Sequence, residues 1–256
     1  MSAVTVTTEG AVCRIRLNRP DKLNALDAAT YDGLRQALDN LADRPDVRVL
    51  VLSGEGRAFS AGVDLTARGS GARADWTQRR HERGGWQRLL DLLESVPQVT
   101  VAGIHGHCIG GAALLAVACD FRVAADDVQV RIPELAIGIP LTWGGIPRLA
   151  REIGLPLARD LVMTGRVLGA AEALSAGFVQ RMVPADELVA AVDALVESLL
   201  AMPAGPLAMT RSMFSALGRE RLGAAAWADA DLLGWSVTEP ESQAAAAAYA
   251  ERRRSQ

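Results

Sequence analysis

The sequence offers chemistry in two glycine-rich turns. The first, SGEGRAFSAGVDL (Ser53–Leu65), follows the apolar run VRVLVL, and the second, GIHGHCIGGAALLAVACD (Gly103–Asp120), closes the run VTVAGI. Each sets backbone N–H groups at a strand end or helix start, where donors point outward and the peptide dipole favours negative charge. Two such donors converging on one point would hold an oxyanion. Taken singly, either turn is better explained by glycines that only permit a tight bend. Other sites are excluded. There is no GxSxG nucleophile elbow, no glycine precedes Lys22 as a phosphate loop requires, and no GxGxxG follows a strand. His105 and His107 form an HxH pair with no nearby cluster of acids or cysteines to complete a metal shell, so no metal is expected.

Positioning these turns requires a layered scaffold. Val4–Thr8 and Ala11–Leu17 alternate around Glu9-Gly10 and read as a hairpin. Asp27 caps a helical pattern through Leu41, with Leu34, Leu38 and Leu41 on one face. Val47–Leu52 is apolar enough for a strand covered on both faces. An arginine-rich polar segment then leads to a helix around Trp86–Leu93, a strand at Val99–Ile104 and a buried helix at Gly110–Ala118. Short strands are expected at Phe121–Ala125 and Val128–Arg131. Beyond Leu157 the pattern is almost wholly helical, alanine-rich and broken by Pro184, Pro203, Pro206 and Pro240. Three strand–helix alternations make the first 140 residues an α/β layer structure. Gly69–Arg73 (GSGAR) is the candidate mobile loop.

Composition bounds the answer. With 256 residues, half of them apolar and 22% charged, the chain can bury a large core, which excludes low-complexity disorder. A net charge of −3 disfavours nucleic acid. Lys22 is the single lysine among the basic residues, which reads as the codon bias of a GC-rich, bacterial genome. Cys13, Cys108 and Cys119 make an odd set without a CxxC pair, against a disulfide framework or structural zinc and in favour of a reducing cytoplasm. MSAVTVTTEG has neither the basic nor the apolar region of a secretory signal. The 25 uncharged residues between Glu94 and Asp120 could span a bilayer by length, but Pro97, two histidines and four glycines interrupt them. A strand, a turn and a buried helix are expected instead, and no membrane partner.

Together and in this order, the motifs resemble the enoyl-CoA hydratase/isomerase (crotonase) family over most of the chain. NRPDKLNALD (Asn18–Asp27) is similar to its opening segment, GRAFSAGVDL (Gly56–Leu65) to its first acyl-CoA loop and GHCIGGAALLAVACDFRVA (Gly106–Ala124) to its second. IPELAIGIPLTWGGIPRL (Ile132–Leu149) is similar to the segment that carries a catalytic glutamate. The resemblance implies a spiral of ββα units over 1–195. A C-terminal helical region, 196–256, would belong to the same unit, driving trimerisation and covering the acyl-CoA pocket. It implies oxyanion donors at the Val63 and Gly111 N–H groups. Coenzyme A, as part of the substrate and with no separate cofactor, would meet Lys22, Leu23, Ala25, Arg57 and Ala61, with Asp64 and Leu65 in the same turn.

The glutamates depart from the family pattern. Family hydratases carry one in GGxxE and one in a PE pair. Here the first position is Leu114, in GGAAL, whereas Glu134 after Pro133 is kept. A PGxGG-like run that leaves room for water is replaced by LTWGG, with Thr142 and Trp143. Adding water is best served by two carboxylates, whereas moving a double bond needs one base. A single Glu134 beside Leu114 and Trp143 suits a dry site and a raised carboxyl pKa. Double-bond isomerisation of an enoyl-CoA is therefore the leading expectation. A one-glutamate 2-enoyl-CoA hydratase of fatty acid degradation is the alternative. A catalytically silent acyl-CoA-binding protein is a third reading, motivated by Leu114. In the turn, Asp64 reads as structural, with chemistry its lesser role. Trp227, Leu232, Leu233 and Trp235 form an apolar cluster that calls for a partner surface, hence a homotrimer or dimer of trimers.

Overall fold

The computed structural model describes residues 2–65, 75–220, 226 and 228–254. Six strands form the main sheet: β1 (Val4–Glu9), β2 (Val12–Leu17), β3 (Val49–Gly54), β4 (Val99–Ile104), β6 (Phe121–Ala125) and β9 (Arg181–Val183), in that spatial order. β1 and β2 are the expected antiparallel hairpin, and every later pairing is parallel. A second sheet joins β5 (His107–Ile109), β7 (Gln129–Arg131) and β8 (Val167–Gly169).

The main sheet is covered on both faces, as its apolar runs require. In register, Val49 lies beside Val99 and Val51 beside Val101; with Val123 and Ala125 they pack on α7 (Leu188–Leu200). The alternate residues Leu50, Leu52, Ala102, Ile104 and Ala124 join the larger core on the other face. There they meet α1 (Ala28–Ala42), α3 (Gly85–Ser95) and α4 (Gly111–Val117), whose seven residues are all buried. Asp27 caps α1 by accepting the Thr30 N–H at 2.9 Å. The uncharged stretch thus resolves into β4, β5 and α4. Among the described residues no single helix is long and apolar enough to cross a membrane.

The chain repeats one excursion: a main-sheet strand, a step into the second sheet, then a helix. β4–β5–α4 follows this path, as does β6–β7 before α5 (Gly145–Thr164), which is broken at Gly154. In the first excursion the step is a single bridge, Ser60 pairing with Cys108. This ties the first glycine turn to the second through Ser60 N–H to His107 O (2.9 Å) and Ile109 N–H to Ser60 O (3.1 Å).

Three expectations need correction. The polar segment before Trp86 contains a helix, α2 (Trp76–Arg83); none of its residues is buried, so it carries no apolar period. The region beyond Leu157 is not wholly helical, since β8 and β9 interleave with α6 (Ala170–Ser175). A division at 195 falls inside α7. The GSGAR loop and Trp227 lie outside the described residues. The chain ends in α8 (Ala204–Glu220), α9 (Asp229–Ser236) and α10 (Pro240–Arg254).

Candidate active site

The two glycine turns meet at one cavity of about 210 Å³. Val63 and Gly111 both line it, together with Ala61, Leu65, Leu114, Glu134, Thr142 and Trp143. The turns abut: a Cβ on Gly62 would lie 2.5 Å from the Ile109 carbonyl oxygen, so this position needs glycine. Among the described residues, neither the Val63 nor the Gly111 N–H donates a hydrogen bond. Gly111 opens α4, whose first N–H groups have no acceptor within the helix. Two unpaired donors therefore border one space.

The first turn is fixed by side chains distant in sequence. Asn24, buried and with φ of 54°, donates through Nδ2 to the Glu55 and Ala58 carbonyls, both at 2.8 Å, and accepts the Arg19 N–H at 2.8 Å. Ser60 donates its hydroxyl to the Asn24 carbonyl at 2.8 Å, and its oxygen accepts the Gly62 N–H at 3.1 Å. The Leu23 carbonyl accepts the Ala61 N–H at 2.8 Å, so the 18–27 segment is strapped to the turn. Asp64 does not line the cavity; its carboxylate is 3.2 Å from the Arg19 guanidinium, which also reaches Asp27 at 3.1 Å.

Glu134 stands on a one-turn 3-10 helix, Glu134–Ile137, that follows Pro133. Its carboxylate packs against Gly110, where a Cβ would lie 2.6 Å from Oε1. Oε2 is buried with no hydrogen-bond partner. Burial pushes the carboxyl up to about 7, only partly opposed by a backbone N–H. No cation contributes to that shift. An unsatisfied buried carboxylate is costly to ionise and ready to accept a proton.

Trp143 lines the same cavity, beside the adjacent glycine, Gly111. It has φ of 62°, a left-handed conformation that non-glycine residues avoid. Its neighbours hold it there: the Arg148 guanidinium donates to its carbonyl at 2.6 Å, and the Gly144 N–H donates to Asp229 at 2.7 Å. Arg148 is itself buried and pairs with Glu94 at 2.9 Å. The indole lies against Gly111, stacks on Trp86 at 5.0 Å between ring centroids, and Trp86 meets Tyr31 edge-on.

Lys22 and Arg57 are exposed, and neither they nor Leu23 and Ala25 line the cavity; Lys22, Leu23 and Ala25 belong to the strapped segment and Arg57 to the first turn. His105 donates through Nε2 to the Gly56 carbonyl at 2.8 Å. Among the described residues no group of three His, Cys, Asp or Glu side chains could hold a metal. Sequence reasoning missed Trp86, Glu82, Arg83 and Tyr249, which line the cavity from α2, α3 and α10. Leu233, expected at a partner surface, lines the cavity instead. Only Trp86 had a signal, as the lone aromatic opening the apolar face of α3.

The family described as enoyl-CoA hydratase/isomerase matches residues 7–256. A Mycobacterium bovis protein named as an enoyl-CoA hydratase is 34% identical over 208 residues, 81% of this chain and 79% of its own. An enoyl-CoA hydratase structure from Mycobacterium avium subsp. paratuberculosis K-10 superposes with a TM-score of 0.87 at 28% identity, covering 98% of this chain and 96% of that one. A Thermobifida fusca YX protein described as an enoyl-CoA hydratase, solved with acetoacetyl-CoA, gives 0.76 at 32% identity over 87% and 90% of the two chains. Motifs, crotonase-type fold and match along nearly the whole length agree: this chain belongs to the enoyl-CoA hydratase/isomerase family.

Proposed function

We propose that this acyl-CoA enzyme moves the double bond of an enoyl-CoA, with Glu134 as the single proton-transfer group. The observation that carries this reading is the buried, unpartnered Glu134 Oε2 in a cavity that Leu114 and Trp143 also line. The Glu134 carboxylate takes a proton from C2 of a 3-enoyl thioester. The C2–H electron pair spreads into a dienolate: with the charge on the thioester oxygen the double bonds are C1=C2 and C3=C4, and with it on C4 the carbonyl is restored and the double bond is C2=C3. The Val63 and Gly111 N–H groups receive that oxygen; losing one such donor typically costs about 100- to 1,000-fold in rate. The protonated Glu134 then delivers the same proton to C4, giving the 2-enoyl thioester and restoring the carboxylate. Coenzyme A enters as part of the substrate, with Lys22, Leu23, Ala25, Arg57 and Ala61 on its side of the site. No further cofactor is required.

The second reading, hydration of a 2-enoyl-CoA by one glutamate, draws on the name of the M. bovis relative. Incubating the purified protein with a 3-enoyl-CoA and separately with a 2-enoyl-CoA decides between them. Isomerisation predicts a 2-enoyl product without hydroxyacyl-CoA; accumulation of 3-hydroxyacyl-CoA from the 2-enoyl substrate as the faster reaction would favour hydration. Acyl-CoA binding with turnover of neither would favour a silent binding protein. A cytoplasmic trimer or dimer of trimers is part of the proposal. Exposed Met213, Phe214 and Leu217 on α8, with Leu232 and Trp235 on α9, supply apolar surface for it. A monodisperse monomer in light scattering would contradict that assembly.

A further inference from the structure

The cavity has a second polar feature, Arg83, that proton transfer does not use. Arg83 closes α2 and lines the cavity with Leu233 of α9 and Tyr249 of α10. Among the described residues its guanidinium has no ion pair and no hydrogen bond. The carboxylates around it are engaged: Glu82 accepts from Gln78 at 3.1 Å, Asp231 pairs with Arg80 at 2.8 Å and Asp229 accepts the Gly144 N–H. The adjoining segment 66–74, TARGSGARA, contains no acidic residue.

The scaffold makes room for this cation. Arg83 rests against Gly234 in the last turn of α9, where a Cβ would lie 2.4 Å from Nη1. Glycine inside a helix costs about 1 kcal/mol relative to alanine, and close approach of the guanidinium gives it a reason to be there. Arg83 and Glu134 reach the cavity from different elements, the last turn of α2 and the 3-10 helix after Pro133. Arg83 is seated on α2 against Gly234 of α9, whereas the 18–27 strap is hydrogen-bonded to the first glycine turn and none of its residues lines the cavity.

We propose that Arg83 pairs with a carboxylate at the distal end of the acyl chain, so that the preferred substrates are monothioesters of dicarboxylic acids. This rests on the acyl-CoA reading of the cavity. An unpaired guanidinium beside Leu233 and Tyr249 would be a poor lining for an alkyl tail. A carboxylate meets its fork with two parallel charge-assisted hydrogen bonds. Such bonds are typically worth enough for a preference of about 10- to 100-fold.

The test is equilibrium binding by calorimetry, using saturated thioesters that the enzyme cannot turn over: glutaryl-CoA against pentanoyl-CoA, and adipyl-CoA against hexanoyl-CoA. The wild-type protein should bind the carboxylated member of at least one pair about tenfold or more tightly. Arg83→Gln should erase that preference while leaving pentanoyl-CoA affinity within about twofold, and Gly234→Ala, which displaces the guanidinium, should reduce it. Equal wild-type affinity within both pairs would overturn the proposal, whatever the variants do. So would an Arg83→Gln loss shared equally by all four thioesters, which would assign the arginine to coenzyme A. Binding of none of the four would count against the acyl-CoA reading itself and remove the ground for this inference with it.

Discussion

Asp64 and Glu134 stand on two turns beside the cavity, and the surroundings of their carboxylates differ in kind. The turn around Asp64 is closed on itself: Arg19 neutralises the carboxylate, Asn24 and Ser60 bond the flanking backbone, and the Leu26 carbonyl accepts the Asp64 N–H at 2.9 Å. The turn around Glu134 leaves Oε2 buried and unpaired, with the indole of Trp143 and the Leu114 side chain along the same wall. A paired carboxylate holds backbone in place and is a weak proton acceptor. A dry, unpaired one is expensive to the fold and poised near neutral pH. The difference separates scaffold from chemistry where motif position alone does not.

The largest expected effect is Glu134→Gln. If Glu134 is the single base proposed, its removal should lower isomerisation by at least about 100-fold while acyl-CoA affinity stays roughly constant, because the thioester donors remain. Retained wild-type turnover would move the base elsewhere, with Glu82, the other carboxylate lining the cavity, the next to test. The same variant should also alter stability. A folded carboxyl near 7 against an ordinary 4.5 means the folded protein holds its proton more tightly. Stability of the wild type should then fall as pH rises between those values, and Glu134→Gln should lose that slope in thermal melts at pH 4.5 to 8.

A smaller effect is expected from Gly110→Ala. A Cβ there meets Oε1 at 2.6 Å, and the backbone has φ of 56°, so the substitution pushes the base out of place. Turnover should fall by up to about 100-fold, the scale for small misplacements of a reacting group. Unchanged kinetics would show that the carboxylate tolerates displacement. Smallest in turnover is Asp64→Asn, which breaks the Arg19 pair. It should cost about 1–3 kcal/mol of stability, read in denaturant melts, with kcat changed only a few-fold. A loss of kcat comparable to that of Glu134→Gln would erase the contrast between the turns.

Much of this was legible in the sequence because it depends on local pattern. The apolar runs at β3 and β4, the small-residue helix α4 and the caps of α1 each declare themselves within a few residues. The convergence of Val63 and Gly111 on one cavity followed from motif resemblance and is matched by the geometry. What escaped is short or non-local. β5, β8 and β9 have three residues each, too few for a period to show, and α2 has no buried face. The bonds from Asn24 and Ser60 join side chains to backbone more than thirty residues away, and no spacing announces them. Leu233 and Tyr249 reach the cavity from α9 and α10, and Arg83 from the last turn of α2, contacts between segments far apart in sequence. Even so, the glycine within α9 marks the place of close approach.

The most direct test of a single buried base is the pH dependence of kcat/KM for 3-enoyl-CoA isomerisation between pH 5 and 9, which reports the free enzyme. In the proposed mechanism the ionised Glu134 is the active form, so kcat/KM should rise tenfold per pH unit at the acid end and level off above a midpoint near 7. A profile already flat from pH 5.5 upward, as an ordinary solvated carboxylate near 4.5 would give, would contradict it.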